Sequence, residues 1–393
     1  MAGPSVTHAN NAEIKFRKQV LFDYLRKNRF SPYMGKGESA IIRLFYENKD
    51  GGDQVNIPLI NVMSGAGMGS GSLVDAEEEM DSYGFRMWTD WIRNAVVFKK
   101  NQIQKSSFDP LAQARPALTQ WGQRTQRDEI VKALLAIPSA AAPAGHGTDA
   151  GQRVNGILYS AASAGEKNTW HTNNADRILY GDSPANYVSG NHANSLAAVT
   201  ASMTFDADML RLMKRRAQNT SGSQPTITPY MVEEPNAEWF LVACGSRAFR
   251  DFSGSDEVKQ ANREARARER EDWKKNPIFR SGDIVLDGCI VTEIPEIDTI
   301  LGGDLEEKGA DSCDLTPIFL LGQNALGMPW VQNPAPTKRS EDDYGFKKGV
   351  GIEMSYGIGK LAKAPIGGGG LKDFGVHTTF AAAAADGVVA ASA

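Results

Sequence analysis

Four glycines alternate with small residues in the stretch NVMSGAGMGSGSLVDAEEEM at positions 61–80; they are Gly65, Gly67, Gly69 and Gly71. A glycine-rich turn between a strand and a helix can hold phosphate groups on its backbone N–H groups, as in the dinucleotide motif G-x-G-x-x-G or the P-loop. Here Ser70 stands where the third glycine of the dinucleotide motif would be, and no P-loop lysine follows. The glycines are therefore the main argument for a nucleotide-dependent enzyme, although they match neither motif.

Carboxylates directly follow these glycines and argue against a bound phosphate. They are Asp75, Glu77, Glu78, Glu79 and Asp81. Two like unit charges about 4 Å apart repel by about 4 kcal/mol at an effective dielectric constant of about 20. The segment also lacks the alternating oxygen ligands and the central glycine of an EF-hand loop. We therefore expect no cofactor: neither a nucleotide nor a metal ion.

The histidines and cysteines indicate no catalytic site. The histidines lack the H-x-x-H and H-E-x-x-H spacings of zinc sites, and we interpret most of them as loop residues. The cysteines lie far apart and outside any C-x-x-C spacing, so we expect buried, reduced thiols. The residues concerned are His8, His146, His171, His192, His377, Cys244, Cys289 and Cys313. We predict a protein that is not an enzyme, with no catalytic and no metal-binding residues.

The composition of the 393 residues is that of a folded protein, with 41% hydrophobic and 23% charged residues. A net charge of -4 does not indicate a dedicated nucleic-acid-binding protein, although it allows a local basic patch. No apolar run approaches the roughly 18 residues that a membrane span needs, and the N-terminus lacks a signal-peptide pattern. We expect no membrane association and synthesis in the cytoplasm.

Three elements of the first third would position the glycine stretch. Residues 10–29 predict an amphipathic helix whose polar face is basic and includes Lys15 and Arg17. The segment 40–63 reads as two strands around a turn at positions 50–52, and 83–100 is again typical of strand. Two extended arms therefore flank a tip of about twenty residues, which is too long for a tight hairpin turn.

Residues 108–137 give the strongest helix signal in the sequence. Asp109 can cap the helix, Pro110 suits its first position, and Pro116 should kink it. Leu118 and Trp121 belong to an apolar stripe, but the polar stretch GQRTQRDE interrupts that stripe for two turns. We expect this helix to bridge regions of the molecule or to face neighbouring molecules.

The remaining chain mixes short helices and strands. We predict loops and short elements over 152–200 and helices over 206–219 and 255–272. Strands are predicted for EWFLVACG, DIVLDGCIVTEI, LTPIFLLG, GVGIEMSYGIGKL and DFGVHTTFAA. Extended arms, a long helix, a mixed centre and a final strand region indicate an α+β protein. Projecting parts of this kind bury little within their own chain and are best stabilised by contacts with other copies.

Five blocks in order resemble the major capsid proteins of tailed bacteriophages related to phage N-four. They are DQVNIPLINVMSGAG, FDPLAQARPALTQW, NPIFRSGDIVLDGCIVTEIPEI, LLGQNALGMPW, and DDYGFKKGVGIEMSYGIGKL with DFGVHTT. The blocks extend from about residue 53 to residue 380. Each block is weak alone, and their order makes the resemblance specific.

The resemblance implies the Hong Kong 97 capsid fold, with an N-terminal arm, an extended E-loop, a peripheral domain built on a long spine helix, and an axial domain. The arm would be residues 1–45 and the E-loop hairpin 50–100. The peripheral domain would be 101–139 and 341–393, including a spine helix at 107–137, and the axial domain would be mainly 140–340. Asp109, Pro110, Pro116 and Trp121 would belong to the spine helix.

The implied function is self-assembly through hexamers and pentamers into an icosahedral shell around double-stranded DNA, in a virion assembled in the host cytoplasm. Further expected partners are scaffolding, portal and possibly decoration proteins, with non-specific proximity to the DNA. An encapsulin-like nanocompartment shell and the nucleotide-dependent enzyme are the alternatives.

We expect the tip of the E-loop to contact a neighbouring subunit, with its acids facing basic groups. The tip residues are Met63, Gly65, Gly67, Met68, Gly69, Gly71, Asp75, Glu77, Glu78 and Glu79. The candidate basic partners are Lys15, Arg17, Arg93, Lys99 and Lys100. Glycines would let the tip turn and lie over the neighbour, and the methionines would supply adaptable contacts.

Overall fold

The structure is a computed structural model. It describes residues 28–46, 54–60, 68–70, 82–106, 109–219, 226–233, 237–261, 283–339, 344, 346–364 and 370–386. The basic helix predicted for residues 10–29 falls outside this part of the chain except for its last two positions. Most of the helix predicted for 255–272 also falls outside it: only residues 255–261 are described, and 256–261 are helical.

The described elements mix helices and strands throughout the chain, as the α+β prediction requires. The strands are β1 (Met34–Gly35), β2 (Ile42–Tyr46), β3 (Gln54–Ile60), β4 (Ser82–Trp88), β5 (Asp90–Lys99), β6 (Ile178–Tyr180), β7 (Met231–Glu233), β8 (Ala237–Cys244), β9 (Ile284–Leu286), β10 (Cys289–Glu293), β11 (Leu315–Leu321), β12 (Leu326–Lys338), β13 (Lys347–Tyr356), β14 (Gly359–Lys360), β15 (Ala362–Lys363), β16 (Lys372–Asp373) and β17 (Val376–Ala382). The helices are α1 (Lys100–Lys105), α2 (Pro110–Leu135), α3 (Ala164–Asn173), α4 (His192–Ala197), α5 (Ala207–Gln218), α6 (Ser246–Gly254) and α7 (Glu296–Leu301).

The chain divides into two compact units. Unit 1 comprises Met1–Lys27, Arg93–Arg124 and Pro334–Met354. Unit 2 comprises Asn28–Ile92, Thr125–Asn333 and Ser355–Ala393. The boundary between the units falls within helix α2: its residues up to Arg124 belong to unit 1, and those from Thr125 belong to unit 2.

The largest sheet lies in unit 2, with strand order β6-β17-β11-β8-β10-β9 and β7 paired to β8. Strands β11 and β17 pair antiparallel over their full lengths, from Leu315↔Ala382 to Leu321↔Val376. Every residue of these two strands is buried. This double-sided burial explains why LTPIFLLG is a continuous apolar run and not an alternating one.

Helices α5 and α6 share a core with this sheet. Helix α5 begins after Asp206, whose carboxylate accepts a hydrogen bond from the backbone N–H of Met209 at 2.8 Å. Its buried residues recur at helical spacing and pack with Phe252 of α6 and with inward side chains of β8, β10 and β11. The helix and the strand predicted for 206–219 and 238–245 are confirmed.

The segment DIVLDGCIVTEI, predicted as one strand, is instead a hairpin of β9 and β10. Asp287 and Gly288 form its turn with φ of 50° and 76°. A two-residue turn with both φ values positive matches the right-handed twist of the flanking strands, and Asp-Gly is a preferred sequence for it. The prediction of a single strand was wrong because this turn signal was not applied.

The second large sheet orders its strands β1-β2-β12-β13-β5, with β14 paired to β12. Strand β2 pairs parallel with β1 and with β12, whereas β3 pairs antiparallel with β4. The two strands predicted around residues 50–52 therefore exist but belong to different sheets. Adjacency along the chain suggested a hairpin, but long-range pairing decides the partner of each strand.

Strands β3 and β4 form the two extended arms that the sequence predicted. Their register runs from Gln54↔Trp88 to Ile60↔Ser82, so residues 61–81 join the two strands at the outer end of the hairpin. Ile57, Phe85 and Met87 are buried in a small core with Leu361 and Ala362. Burial of these side chains fixes the inner end of the hairpin to unit 2.

Candidate assembly surfaces

The glycine and acidic tip residues lie largely outside the described part of the chain. Met63, Gly65, Gly67, Gly71, Asp75, Glu77, Glu78 and Glu79 belong to this group. Met68 is 51% exposed, and a Cβ added to Gly69 would meet no atom within 4 Å. The described tip residues are thus open to solvent, and the acids of the tip stay a prediction.

Asn155 holds the inner end of the hairpin with its side-chain amide. Its Oδ1 atom accepts a hydrogen bond from the backbone N–H of Trp88 at 2.7 Å, and its Nδ2 atom donates to the carbonyl of Trp88 at 2.9 Å. The amide pairs with Trp88 as a neighbouring strand would. The imidazole of His146 adds a hydrogen bond from Nε2 to the carbonyl of Thr89 at 3.0 Å.

Asp90 fixes the loop 145–152 beside the start of β5. Its Oδ2 atom accepts hydrogen bonds from the backbone N–H groups of Gly147 at 3.1 Å and Gln152 at 2.8 Å, and its Oδ1 atom accepts one from Trp91 at 2.8 Å. Partial burial acts to raise the pKa of Asp90, but the three backbone donors outweigh it and lower that pKa. The carboxylate is therefore a structural anchor at the base of the hairpin.

The predicted basic partners that the structure describes are exposed. Arg93 and Lys99 lie on β5, and Lys100 is the first residue of α1. Along β5, residues 91, 93, 95, 97 and 99 are exposed and their neighbours are half-buried, so one face of the strand is open. Lys15 and Arg17 lie outside the described residues.

Helix α2 begins as predicted, with a side-chain cap from Asp109. Asp109 accepts hydrogen bonds through Oδ1 from the backbone N–H groups of Leu111 at 3.0 Å and Ala112 at 3.4 Å. Pro110 is the first helical residue, and the helix continues through Pro116 without interruption. Trp121 is half-buried. The helix ends at Leu135, within two residues of the predicted boundary.

A cleft in unit 1 is lined by several cations that sequence analysis did not bring together. Its volume is about 420 Å³. Side chains from the start of α2 and from the facing ends of β12 and β13 line it: Asp109, Leu111, Ala112, Arg115, Lys338, Arg339, Lys347, Lys348 and Val350. Their positions are far apart in the chain, and only the fold shows that they converge.

The polar middle of α2 contains buried ion pairs, which the sequence did not predict. The carboxylate of Glu129 lies 2.6 Å from the Nη2 atom of Arg153 and accepts a hydrogen bond from the hydroxyl of Tyr356 at 2.5 Å. Arg127 pairs with Glu296 of α7 at 3.1 Å. Because charged groups are costly to bury unless they are paired, these contacts explain why a core-facing helix tolerates the sequence RDE.

The interpretation of the histidines as loop residues was wrong for three of them. His171, His192 and His377 are at most 2% exposed and lie in α3, α4 and β17. No local spacing could reveal this, because the groups that satisfy two of these imidazoles come from other elements. Cys244 and Cys289 are buried as predicted, and Cys313 is half-buried.

Four side chains form a buried chain of hydrogen bonds. The separations are 2.8 Å from Tyr159 Oη to His192 Nε2, 2.6 Å from His192 Nδ1 to Tyr180 Oη, and 2.7 Å from Tyr180 Oη to His171 Nδ1. His171 Nε2 lies 2.8 Å from the carbonyl of Val188 and must donate to it. When both imidazoles are neutral, this fixes the direction of every hydrogen bond in the series. Tyr159 donates to His192, His192 donates to Tyr180, and Tyr180 donates to His171.

Metal ligands and reactive thiols are two features of the described residues that bear on catalysis. No three His, Cys, Asp or Glu side chains among them come together as a metal site would require. Burial raises the pKa of Cys244, and it raises the pKa of Cys289 to about 12, so both thiols are poor nucleophiles. No helix in the same part of the chain is long and apolar enough to cross a bilayer.

The comparisons with known proteins identify the family. The model of the phage capsid protein family matches residues 6–385, and the chain belongs to that family. The capsid asymmetric unit of cyanophage Pam1 is 28% identical, with a TM-score of 0.83 over 98% of this chain and 100% of that one. No relative was found among curated protein sequences.

Two more distant capsids share the fold. The capsid of Ralstonia phage GP4 is 18% identical, with a TM-score of 0.69 over 98% of this chain and 99% of that one. The acidic stable capsid of Helicobacter pylori bacteriophage KHP30 is 14% identical, with a TM-score of 0.66 over 95% and 96%. The fold is the Hong Kong 97 type, and the protein is a major capsid protein that self-associates into the icosahedral shell of a virion.

Proposed function

We propose that copies of this chain form hexamers and pentamers, and that the closed shell holds double-stranded phage DNA. The observation that carries this proposal is the β3–β4 hairpin. Its inner end is fixed by buried side chains and by Asn155, while residues 61–81 join Ile60 to Ser82. A segment of this length at the end of an anchored hairpin is suited to reach another copy.

The regional assignment is also a proposal. Residues 1–45 would be the arm, 50–100 the E-loop, 101–139 with 341–393 the peripheral domain, and 140–340 mainly the axial domain. Helix α2 would be the spine helix. The role is structural and not catalytic, and scaffolding, portal and possibly decoration proteins would be the other protein partners.

We further propose that the acidic tip pairs with basic groups of a neighbouring subunit. Arg93, Lys99 and Lys100 support this because they are exposed and belong to a unit rich in cations. Lys15 and Arg17 are the additional candidates from the basic arm. Exposed ion pairs are screened by salt, so assembly that depends on them should weaken as ionic strength rises.

Electron microscopy of the purified protein tests the assembly proposal. Closed shells with hexameric and pentameric capsomers are expected. Nuclease-protected DNA inside particles from infected cells would support a genome container, whereas a protein cargo would favour the nanocompartment alternative. A monomer whose melting temperature rises with added ATP would instead favour the nucleotide-dependent enzyme.

Neutralising the tip tests the pairing. In a variant with Glu77→Gln, Glu78→Gln and Glu79→Gln, the yield of shells at low salt should fall, and its remaining salt dependence should be weaker. A variant that neutralises exposed acids elsewhere in unit 2, Asp208→Asn with Glu257→Gln, is the matched control. Unchanged yield and salt response in the tip variant would contradict the pairing.

A further inference from the structure

Buried polar atoms without hydrogen-bond partners concentrate at one corner of unit 2. Among the described residues, the Nε2 atom of His377 and the Nε atom of Arg216 are two such atoms. Arg216 donates through Nη2 to the carbonyl of Ile178 at 3.3 Å. Ile178 in turn pairs with Thr378, whose buried Oγ1 atom is also without a partner among these residues. Because buried polar groups of folded proteins are nearly always hydrogen-bonded, this corner is a candidate ligand site.

A cleft of about 510 Å³ opens at the same corner. Arg216 and Asn219 at the end of α5 line it, together with Asn173 at the end of α3 and Lys372 of β16. Among the described residues, Asp176 is the one carboxylate in its lining. Guanidinium, ammonium and amide groups from three elements therefore converge on one space, and all of them can donate hydrogen bonds.

Two pairs of a lysine with a carboxylate lie in and beside the cleft. The Nζ atom of Lys372 is 2.7 Å from Asp176, and that of the buried Lys360 is 2.8 Å from Asp373. In each pair one positive charge meets one negative charge, so the two pairs leave the net charge of the corner unchanged.

Two arginines add positive charge beyond these pairs. Arg177 donates to the carbonyls of Asp373 and Phe374, and Arg216 donates to main-chain carbonyls as well. A carbonyl solvates a guanidinium group but does not neutralise it, so the corner keeps a formal excess of two positive charges. Burial lowers the pKa of His377 well below its ordinary value, and Arg216 and Arg177 act in the same direction, as expected beside uncompensated cations.

Helices α3 and α5 both end at the cleft and would oppose an anion there. A helix C-terminus carries about half a negative charge, so the two ends offset about one of the two excess positive charges. The backbone N–H groups of Asn174 and Asn219 already bond to carbonyls of the last turns, at 3.1 Å and 2.9 Å. The undescribed segments that adjoin the cleft in sequence, 220–225 and 365–369, contain no charged residue. An excess of positive charge therefore remains.

We propose that this cleft binds an oxyanion of the phosphate class. Arg216 and Lys372 would donate charge-assisted hydrogen bonds to it. The amides of Asn173 and Asn219 would add neutral ones. Donors that arrive from three elements suit the four oxygens of a tetrahedral group better than a planar carboxylate, and the volume admits either inorganic phosphate or a small phosphomonoester. The site lies within one subunit, so this role goes beyond the formation of a shell.

Isothermal titration calorimetry of the purified full-length protein tests the site. Sodium phosphate is titrated at constant ionic strength, with sodium chloride as the reference titrant. Saturable binding of one phosphate per chain is expected, and the melting temperature should rise as the site fills. A parallel titration with glycerol 3-phosphate distinguishes the sources, because tighter binding of this compound would mean that the ligand carries an organic group. Absence of saturable binding of both compounds would overturn the proposal.

Substitutions in the lining locate the bound group. Arg216→Gln should weaken phosphate binding about tenfold or more, whereas Arg215→Gln, at the exposed neighbouring position outside the lining, is the matched control. Asn219→Asp adds a carboxylate to the lining without removing a cation, so it should abolish saturable binding. Asn101→Asp adds the same charge at an exposed position of unit 1 and should leave binding unchanged. Circular dichroism confirms that each variant is folded.

Three outcomes would contradict the site. Binding of phosphate by Arg216→Gln and Asn219→Asp as tightly as by the wild type would show that the cleft is not involved. An equal rise in melting temperature for the wild type and all variants would be a general salt effect. Binding of a short DNA duplex that depends on Arg216, without saturable binding of phosphate, would assign the cleft to DNA. None of these measurements requires shells, so the shell function and the anion site can fail separately.

Discussion

The Nδ1 atom of His192 lies 2.6 Å from the hydroxyl oxygen of Tyr180 in the interior of unit 2. This hydrogen bond requires His192 to donate, because Tyr180 donates its own proton to His171 in the series that ends at the carbonyl of Val188. Burial lowers the pKa of His192 to about 3, with the nearby His171 and Lys167 acting in the same direction. The imidazole is thus held neutral in the folded protein.

Acid should therefore destabilise the subunit. In the unfolded chain His192 binds a proton below a pH of about 6.5, whereas in the folded protein it stays neutral, so unfolding is favoured as the pH falls. The loss from this residue is about 1.4 kcal/mol per pH unit and extends from a pH of about 6.5 down towards its folded pKa. Urea unfolding of unassembled subunits at several pH values measures it.

The variant His192→Asn isolates this contribution. It should be less stable than the wild type at pH 7.5, yet its stability should depend less steeply on pH, by about one proton between pH 6 and pH 5. His146→Asn, at a half-buried loop position, serves as the control. An unchanged pH slope in His192→Asn would show that His192 is protonated in the folded protein or is not involved.

The buried carboxylate of Glu129 gives a second prediction. Glu129→Gln removes the charge that Arg153 pairs with at 2.6 Å and weakens the acceptor for the Tyr356 hydroxyl. Because an unpaired buried guanidinium remains, we expect a loss of about 3 kcal/mol in the free energy of unfolding. Glu257→Gln, at the exposed pair with Arg211, should cost less than about 1 kcal/mol. Equal effects in urea unfolding would contradict the role of burial.

A comparison of Gly156 with Gly147 separates the cost of an unfavourable backbone conformation from the cost of a steric clash. Gly156 and Gly147 have φ of 91° and 70°, so both adopt the left-handed region. A Cβ on Gly156 would lie 2.4 Å from the carbonyl oxygen of Ile137, whereas one on Gly147 would meet no atom within 4 Å. Gly147→Ala should cost about 1 kcal/mol from conformation alone, and Gly156→Ala clearly more. Thermal melts of the two variants compare them, and similar melting temperatures would contradict the steric argument.

Asp298 links three elements, and its removal tests that link. Its carboxylate accepts hydrogen bonds from the hydroxyl of Ser246 at 2.7 Å, the backbone N–H of Arg247 at 3.0 Å and the hydroxyl of Thr316 at 3.1 Å. Asp298→Ala should destabilise the subunit by about 2–3 kcal/mol, since a helix cap and a strand contact are lost together.

The matched comparison for Asp298 is Asp206, which caps α5 with one hydrogen bond to Met209. Asp206→Ala should cost about 1 kcal/mol. If both variants unfold at the same urea concentration, the additional contacts of Asp298 contribute nothing to stability.

Local sequence patterns predicted those helices and strands whose type does not depend on the elements they pack against. The cap at Asp109, the first-turn Pro110 and the apolar repeats predicted α2 to within two residues at its end. The alternation in DQVNIPLI predicted β3. Each of these signals depends on residues within a few positions of one another, so it favours the same helix or strand in any fold.

The features that sequence missed depend on distant partners. Glu129 reads as an exposed polar residue until Arg153 and Tyr356 are placed beside it. His192 reads as a loop residue until Tyr159 and Tyr180 satisfy both ring nitrogens. Composition of the segment alone carries no trace of either arrangement, since burial of a polar group is decided by what the fold brings to it.

The formal charge of unit 1 is +8, from 15 Lys and Arg against 7 Asp and Glu, and that of unit 2 is -12, from 28 against 40. This division affects which symmetry of association is favoured. In a two-fold pair that used the basic unit on both sides, +8 would meet +8, and the like charges would repel. When each copy instead presents its basic unit to the acidic unit of the next, every contact joins opposite charges and the same contact repeats around a ring. The formal charges of the two units alone therefore disfavour back-to-back dimers and favour head-to-tail rings.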